Sequence, residues 1–186
     1  MVSKGRLIVI TGPSGVGKGT LVRELLQRHR ELHLSVSVTT RSPRPGEVEG
    51  KHYYFVDRNR FEQMVQNGEL LEWAEFAGNY YGTPLLPVQK RIEAGESVLL
   101  EIELIGARQI RERFPQAQQI FIQPPSMLEL ERRLRSRGQD SDEAIARRLK
   151  RAAEEINAAQ EFDFELVNDD LDEALKQLEN VLFAVV

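Results

Sequence analysis

The sequence has no cysteine, so disulfides, thiolate metal centres and cysteine nucleophiles are excluded. It has no apolar run long enough to span a bilayer. It also lacks a basic excess, with 25 Lys and Arg against 29 Asp and Glu and a net charge of −4. That balance argues against a dedicated nucleic-acid binder. No internal repeat, low-complexity tract or linker interrupts the chain. The first apolar run begins at Arg6, which leaves no room for a secretory leader, and a cytoplasmic protein is expected. What remains is ordinary for a globular chain: 186 residues, 41% hydrophobic and 29% charged, enough for one compact unit with a sizeable core.

Against that plain background one stretch stands out. Arg6-Leu7-Ile8-Val9-Ile10 reads as a buried strand, and Leu21, Val22, Leu25 and Leu26 lie at the spacing of one helix stripe. Between them run Gly12, Pro13, Ser14, Gly15, Val16, Gly17, Lys18, Gly19 and Thr20. Strand, glycine-rich turn, Lys and helix make a phosphate-binding loop. Glycines let backbone N–H groups converge on an anion, the helix start adds its positive end, and Lys18 adds a mobile charge. An ordinary strand-to-helix turn explains Gly12 or Gly15 alone, but not Lys18 at the helix start.

The residue after Lys18 is Gly19, where such loops usually place a metal-binding hydroxyl. Thr20 is left to contact a phosphate. No direct protein ligand for a metal is expected, and Mg²⁺ is expected to be held mostly by nucleotide oxygens and water.

Further along, Ser35-Val36-Ser37-Val38-Thr39-Thr40 alternates like a strand, with valines on one face and hydroxyls on the other. Such a strand lines a polar cleft or faces water at a sheet edge. Arg41-Ser42-Pro43-Arg44-Pro45-Gly46 is a stiff loop holding two arginines three residues apart. Strand Tyr53–Val56, a short helix capped by Asp57, strand Leu70–Phe76 and a turn-rich stretch Gly78–Pro84 follow. These short elements read as a β-rich subdomain inserted into an α/β core.

After a helix ending near Gly95, Ser97–Glu103 reads as a buried strand ending in acid, with Glu101 and Glu103 on one face. A helix over 105–113 and a strand over 119–122 come next. Ser126 and Glu129 form a capping-box pattern ahead of the following helix. A second helix carries Arg147 and Arg148, and strand 164–167 and helix 171–183 close the chain. Arginines crowd 41–60 and 132–151, and Arg132, Arg133 and Arg151 read as solvated helix positions. Tyr54, Tyr80 and Trp73 read as packing residues. Strands alternating with helices after such a loop predict a three-layer α/β core with a mainly parallel sheet.

Ser37-Val38-Thr39-Thr40-Arg41-Ser42-Pro43-Arg44 and Gly50-Lys51-His52-Tyr53-Tyr54-Phe55, added to the phosphate loop, resemble the guanylate kinase family. So do Glu72-Trp73-Ala74, Gly78-Asn79-Tyr80-Tyr81-Gly82-Thr83, Arg137-Gly138 and Val167-Asn168-Asp169-Asp170. The motifs occur in the family's order over nearly the whole chain. The resemblance implies a single domain with its core at 1–34 and 96–186, an acceptor subdomain at 35–95 and a helical lid at about 135–150. It implies transfer of the ATP γ-phosphate to GMP, and to dGMP as well.

By that resemblance Lys18 and the loop hold ATP, with Asn168 near adenine. Arg41, Arg44, Tyr53 and Tyr81 match the grip on the GMP phosphate, and Ser37, Glu72 and Thr83 match the guanine readers. Arg137 and Arg148 match the lid arginines. Glu101 and Glu103 stand where the family usually has aspartates, and are candidates for organising Mg²⁺-bound water or the acceptor nucleoside. Two other readings stay open. One is a protein-binding module of the same fold, and the other is a kinase for another acceptor such as a ribose phosphate. Neither nucleic acid nor membrane is an expected partner.

Overall fold

The computed structural model describes residues 5–136, 138 and 140–183. The chain is a mixed α/β protein with a mainly parallel sheet. Its elements run in the order β1 (Leu7–Thr11), α1 (Lys18–Arg28), β2 (Leu32–Leu34), β3 (Ser37–Thr39), β4 (Tyr53–Phe55) and α2 (Arg58–Gln66). Then come β5 (Leu70–Phe76), β6 (Asn79–Pro84), α3 (Leu85–Glu93), β7 (Ser97–Glu101) and α4 (Leu104–Arg113). The chain continues through β8 (Gln118–Gln123), α5 (Met127–Ser136), α6 (Asp142–Asn157), β9 (Phe164–Val167) and α7 (Leu171–Phe183). No described helix is long and apolar enough to cross a membrane.

The larger sheet has the hydrogen-bonded order β2-β7-β1-β8-β9. Every residue of β1 is buried, as expected for a strand covered on both faces. β2 pairs with β7, and β8 with β9, both parallel. Two compact units divide the chain: the chain up to Ile8 with Glu31–Ala117, and Val9–Arg30 with Gln118 onward.

The first unit contains the smaller sheet, of order β4-β3-β6-β5. Here the twofold alternation of strands decides which side chains do chemistry. The registers Thr39↔Tyr81, Ala74↔Tyr81, Glu72↔Thr83 and Ser37↔Tyr53 put these residues on one face. Their neighbours Val38, Trp73 and Tyr80 turn to the other, where they pack with Phe61 and Met64 of α2 and with Leu70. Helix α2 is capped by the Asp57 carboxylate, which accepts from the Arg60 N–H. A bulge between Leu70 and Glu72 lets two buried leucines precede Glu72 and still leaves Glu72 facing away from α2.

Three expectations about local structure need correction. The hydroxyl-rich strand does not span 35–40. The chain pairs with β7 through Leu34, Ser35 N–H still donates to Leu99 O, and only then does it enter the smaller sheet. The stretch after Gly78 is a strand rather than a run of turns, because Ala77 and Gly78 alone reverse the chain. Both have positive φ and Phe76 pairs with Asn79, which is the two-residue type I′ hairpin geometry. Glu103 lies beyond β7 and is the N-cap of α4, so it leaves the strand face it was expected to share with Glu101.

Candidate active site

In the second unit, the turn from β1 into α1 builds a site for an anion. Helix α1 begins at Lys18 with no acidic residue in its first turn and no side-chain cap. Its first N–H groups are left for a ligand to satisfy. Gly17, the N-cap, is left-handed with φ 100, and a Cβ there would meet the Asn168 amide nitrogen at 2.5 Å. Only glycine meets both conditions. The Lys18 ammonium donates to the carbonyls of Gly12 and Pro13. It is thus folded back over its own loop.

An open cleft is walled by Gly15, Gly17, Thr20, Arg133, Asn168 and Asp169, among others. Asn168 is buried and its amide donates to Val16 O at 2.8 Å. Arg133 is where the solvated-helix expectation fails. It is half-buried and donates to Glu129 at 2.8 Å, to Asn168 O at 2.8 Å, to Val16 O at 3.3 Å and to Asp169 O at 3.4 Å. One guanidinium therefore ties the phosphate loop to the segment after β9. The expectation misjudged it because Arg132 and Arg133 look alike in sequence, yet only Arg133 points inward. Arg132 is exposed and pairs with Glu129, and Arg151 pairs with the buried Glu155. Of the two lid candidates, Arg148 is paired with Asp140 at 2.5 Å. Arg137 lies outside the described residues.

The first unit holds a second cleft, on the polar face of the smaller sheet. Eight of the nine expected acceptor-site residues line it: Ser37, Arg41, Arg44, Tyr53, Glu72, Tyr81, Glu101 and Glu103. The ninth, Thr83, is fully buried and donates its hydroxyl to Glu72 at 2.6 Å. Arg41 is gripped by Glu47 through two hydrogen bonds of 2.8 and 3.0 Å, and its guanidinium lies 5.4 Å from the Tyr53 ring centroid. The Glu47 carboxylate also accepts from Arg44 N at 2.7 Å. The Arg41 hydrogen bonds, foremost, hold that carboxyl below its ordinary range. Burial, then Tyr81 and Glu101, push the Tyr53 phenol up, so it stays a hydrogen-bond donor.

Glu72 is the buried carboxyl of this cleft. It is only 3% exposed. Burial pushes it up to about 7; the Thr83 hydrogen bonds oppose the shift, and the charge of Glu103 adds to it. A buried carboxylate aimed into a cleft beside two arginines is an arrangement for a ligand with an anionic end and a hydrogen-bonding end.

For a metal, the described residues contain no group of three or more His, Asp or Glu that could hold one. Gly19 supplies no hydroxyl, and Thr20 contributes one to the wall of the cleft that Gly17 also lines. This donor set fits an Mg²⁺ carried in by a nucleotide and held mostly by its phosphate oxygens and by water.

Comparison with known proteins gives a consistent result. The family model described as guanylate kinase matches residues 4–185. A guanylate kinase of Trichormus variabilis is 66% identical over 181 residues, covering 97% of this chain and 91% of that one. One of Trichodesmium erythraeum is 64% identical over 179 residues, with 96% of each chain covered. The crystal structure of guanylate kinase from Anaplasma phagocytophilum superposes with a TM-score of 0.81 at 38% identity, covering 99% of this chain and 88% of that one.

Proposed function

The chain belongs to the guanylate kinase family, and from that premise we propose how its residues divide the work. The enzyme transfers the γ-phosphate of ATP to GMP, giving ADP and GDP. The observation that carries the division is the acceptor cleft itself. Two arginines of the loop after β3 line it together with two tyrosines and a buried carboxylate of the smaller sheet.

The loop from Gly12 to Thr20 binds the phosphates of ATP, with Lys18 following the transferring group. Asn168 and Arg133 hold the loop's outer edge, and Arg137 and Arg148 serve as lid arginines within 135–150. Residues 35–95 form the acceptor subdomain. Arg41, Arg44, Tyr53 and Tyr81 take the GMP phosphate, while Glu72, Thr83 and Ser37 take the base. Glu101 and Glu103 face the acceptor nucleoside. Phosphoryl transfer asks a protein mainly for alignment and charge neutralisation, and arginine suits both because its fork is planar and always charged. Mg²⁺ bound with ATP would add charge neutralisation at the β- and γ-oxygens.

The test is ADP release in a coupled assay with MgATP and a panel of GMP, dGMP, AMP, UMP and ribose phosphates. Turnover is expected with GMP and dGMP and not with the others. Activity confined to a non-guanine acceptor overturns the assignment.

The arginine pair gives a second prediction. Arg41 is half-buried, stacked on Tyr53 and held by Glu47, whereas Arg44 is exposed. Arg41→Ala is expected to weaken GMP by roughly tenfold to a hundredfold, the worth of a charge-assisted hydrogen bond, and Arg44→Ala by less. ATP affinity should barely change in either. Calorimetric titration of each nucleotide checks this, and equal losses for ATP and GMP would place these arginines at the donor site.

A further inference from the structure

The side chain of Glu72 is only as well placed as the strand that carries it. β5 is an edge strand of the smaller sheet, hydrogen-bonded to β6 alone, and it is bulged just before Glu72. An edge strand with a bulge has unpaired backbone groups and a register that is weakly held. In this protein one helix takes up such groups on either side of Glu72. The Gln109 side chain of α4 accepts from Trp73 N–H at 3.1 Å and donates to Trp73 O at 2.6 Å, acting as a short stretch of missing strand. Arg113, one turn further along, donates to Leu71 O at 3.1 Å, at the bulge. The backbone is thus clamped on the residue before Glu72 and on the residue after it.

The third member of this face is Gly106. Positions 106, 109 and 113 are spaced by three and four, so they share one side of the helix. Gly106 is buried, and a Cβ there would lie 2.1 Å from Glu72 Oε2 and 2.9 Å from its Cδ. The carboxylate occupies the space that any other residue at 106 would fill. The opposite oxygen, Oε1, is fixed by Thr83. With one side held by Thr83 and the other resting on Gly106, the carboxylate has one orientation in the cleft.

We propose that Gly106, Gln109 and Arg113 are positioning residues that aim the Glu72 carboxylate and so set the base specificity of the acceptor site. The inference rests on the reading of Glu72 as the guanine contact. Its chemistry is simple. Guanine offers N1–H and a 2-amino group side by side, and two donors must meet two oxygens in one plane. Hypoxanthine keeps N1–H but lacks the 2-amino group. The kcat/KM ratio of GMP to inosine monophosphate therefore reports how well the carboxylate is aimed.

The experiment measures that ratio in the parent, Glu72→Gln, Gly106→Ala and Gln109→Met, with KM for ATP and the melting temperature of each. Alanine is a better helix former than glycine, and the atom it displaces is the end of a side chain, so the fold should survive Gly106→Ala while the carboxylate moves. Gln109→Met keeps the volume and removes both hydrogen bonds. The ratio should fall roughly tenfold in both variants, the lower end of what a bidentate base contact is worth, with KM for ATP unchanged. A helix that merely supports the fold would lower stability and slow both substrates alike, leaving the ratio where it was. A parental ratio in either variant, alongside a lowered ratio in Glu72→Gln, overturns the assignment of that residue. A parental ratio in Glu72→Gln overturns the guanine reading, and this inference falls with it.

Discussion

Lys18→Met is expected to cut kcat by roughly a hundredfold or more while the protein stays folded. The ammonium is held by the carbonyls of Gly12 and Pro13, so it belongs to the phosphate loop and moves with it. When ATP is bound, the same charge can follow the γ-phosphoryl group as negative charge shifts onto the leaving oxygen. An interaction that strengthens along the reaction path lowers the barrier, whereas one of constant strength only tightens binding. Methionine retains the stem and its packing but not the charge. The local cost is two hydrogen bonds at a partly exposed site, which a domain of this size tolerates. Steady-state kinetics with a parallel melting curve decide the matter. A near-parental kcat with a raised KM for ATP would mean that Lys18 binds ground state and transition state equally.

Both clefts were foreseeable from the sequence, but the devices that support them were not. The phosphate loop is visible because its chemistry is local, since glycines, a lysine and a helix start follow one another within nine residues. The acceptor residues are visible through motifs, and alternation explains them afterwards. Tyr53 and Tyr81 face the cleft while Tyr54 and Tyr80 do not, because neighbours on a strand point to opposite faces. Arg133, Gln109, Arg113 and Gly106 act through partners 34 or more residues away in the sequence. No spacing rule within one helix reveals such a contact. The hairpin at Ala77-Gly78 escaped for a different reason. Its first turn residue is an alanine with positive φ, where turn chemistry would favour Asn, Asp or Gly. The α4 cap at Glu103 went unseen because an acid at the end of an apolar run reads equally well as the last residue of a strand.

Glu72→Gln should lower kcat/KM for GMP roughly tenfold to a hundredfold, since a bidentate base contact is worth about 1–3 kcal/mol. Its NH₂ would oppose a guanine donor, and only one acceptor atom would remain. AMP should gain little, because the rest of the cleft still fits guanine. The raised pKa of Glu72 adds a pH signature that separates this role from bulk packing. Only the ionised carboxyl accepts from both guanine donors, and burial pushes it up to about 7. Parental kcat/KM for GMP should therefore fall as pH drops below about 7, approaching tenfold per unit. The GMP phosphate also titrates, near pH ~6 like other phosphomonoesters, but it does so equally with the variant. Dividing the parental profile by that of Glu72→Gln removes the shared step and leaves the carboxyl. Stability must move the opposite way. A carboxyl raised on folding contributes stability that is fully present below its unfolded pKa and is lost as pH rises through about 7. Melting curves should show Glu72→Gln gaining on the parent between about pH 4.5 and 7, by an amount on the order of a few kcal/mol. GMP binding, which needs the ionised form, should be accompanied by proton release near pH 7, measurable as a buffer-dependent calorimetric enthalpy. A flat profile ratio with no proton release would mean that Glu72 is already ionised, or that it does not touch the base.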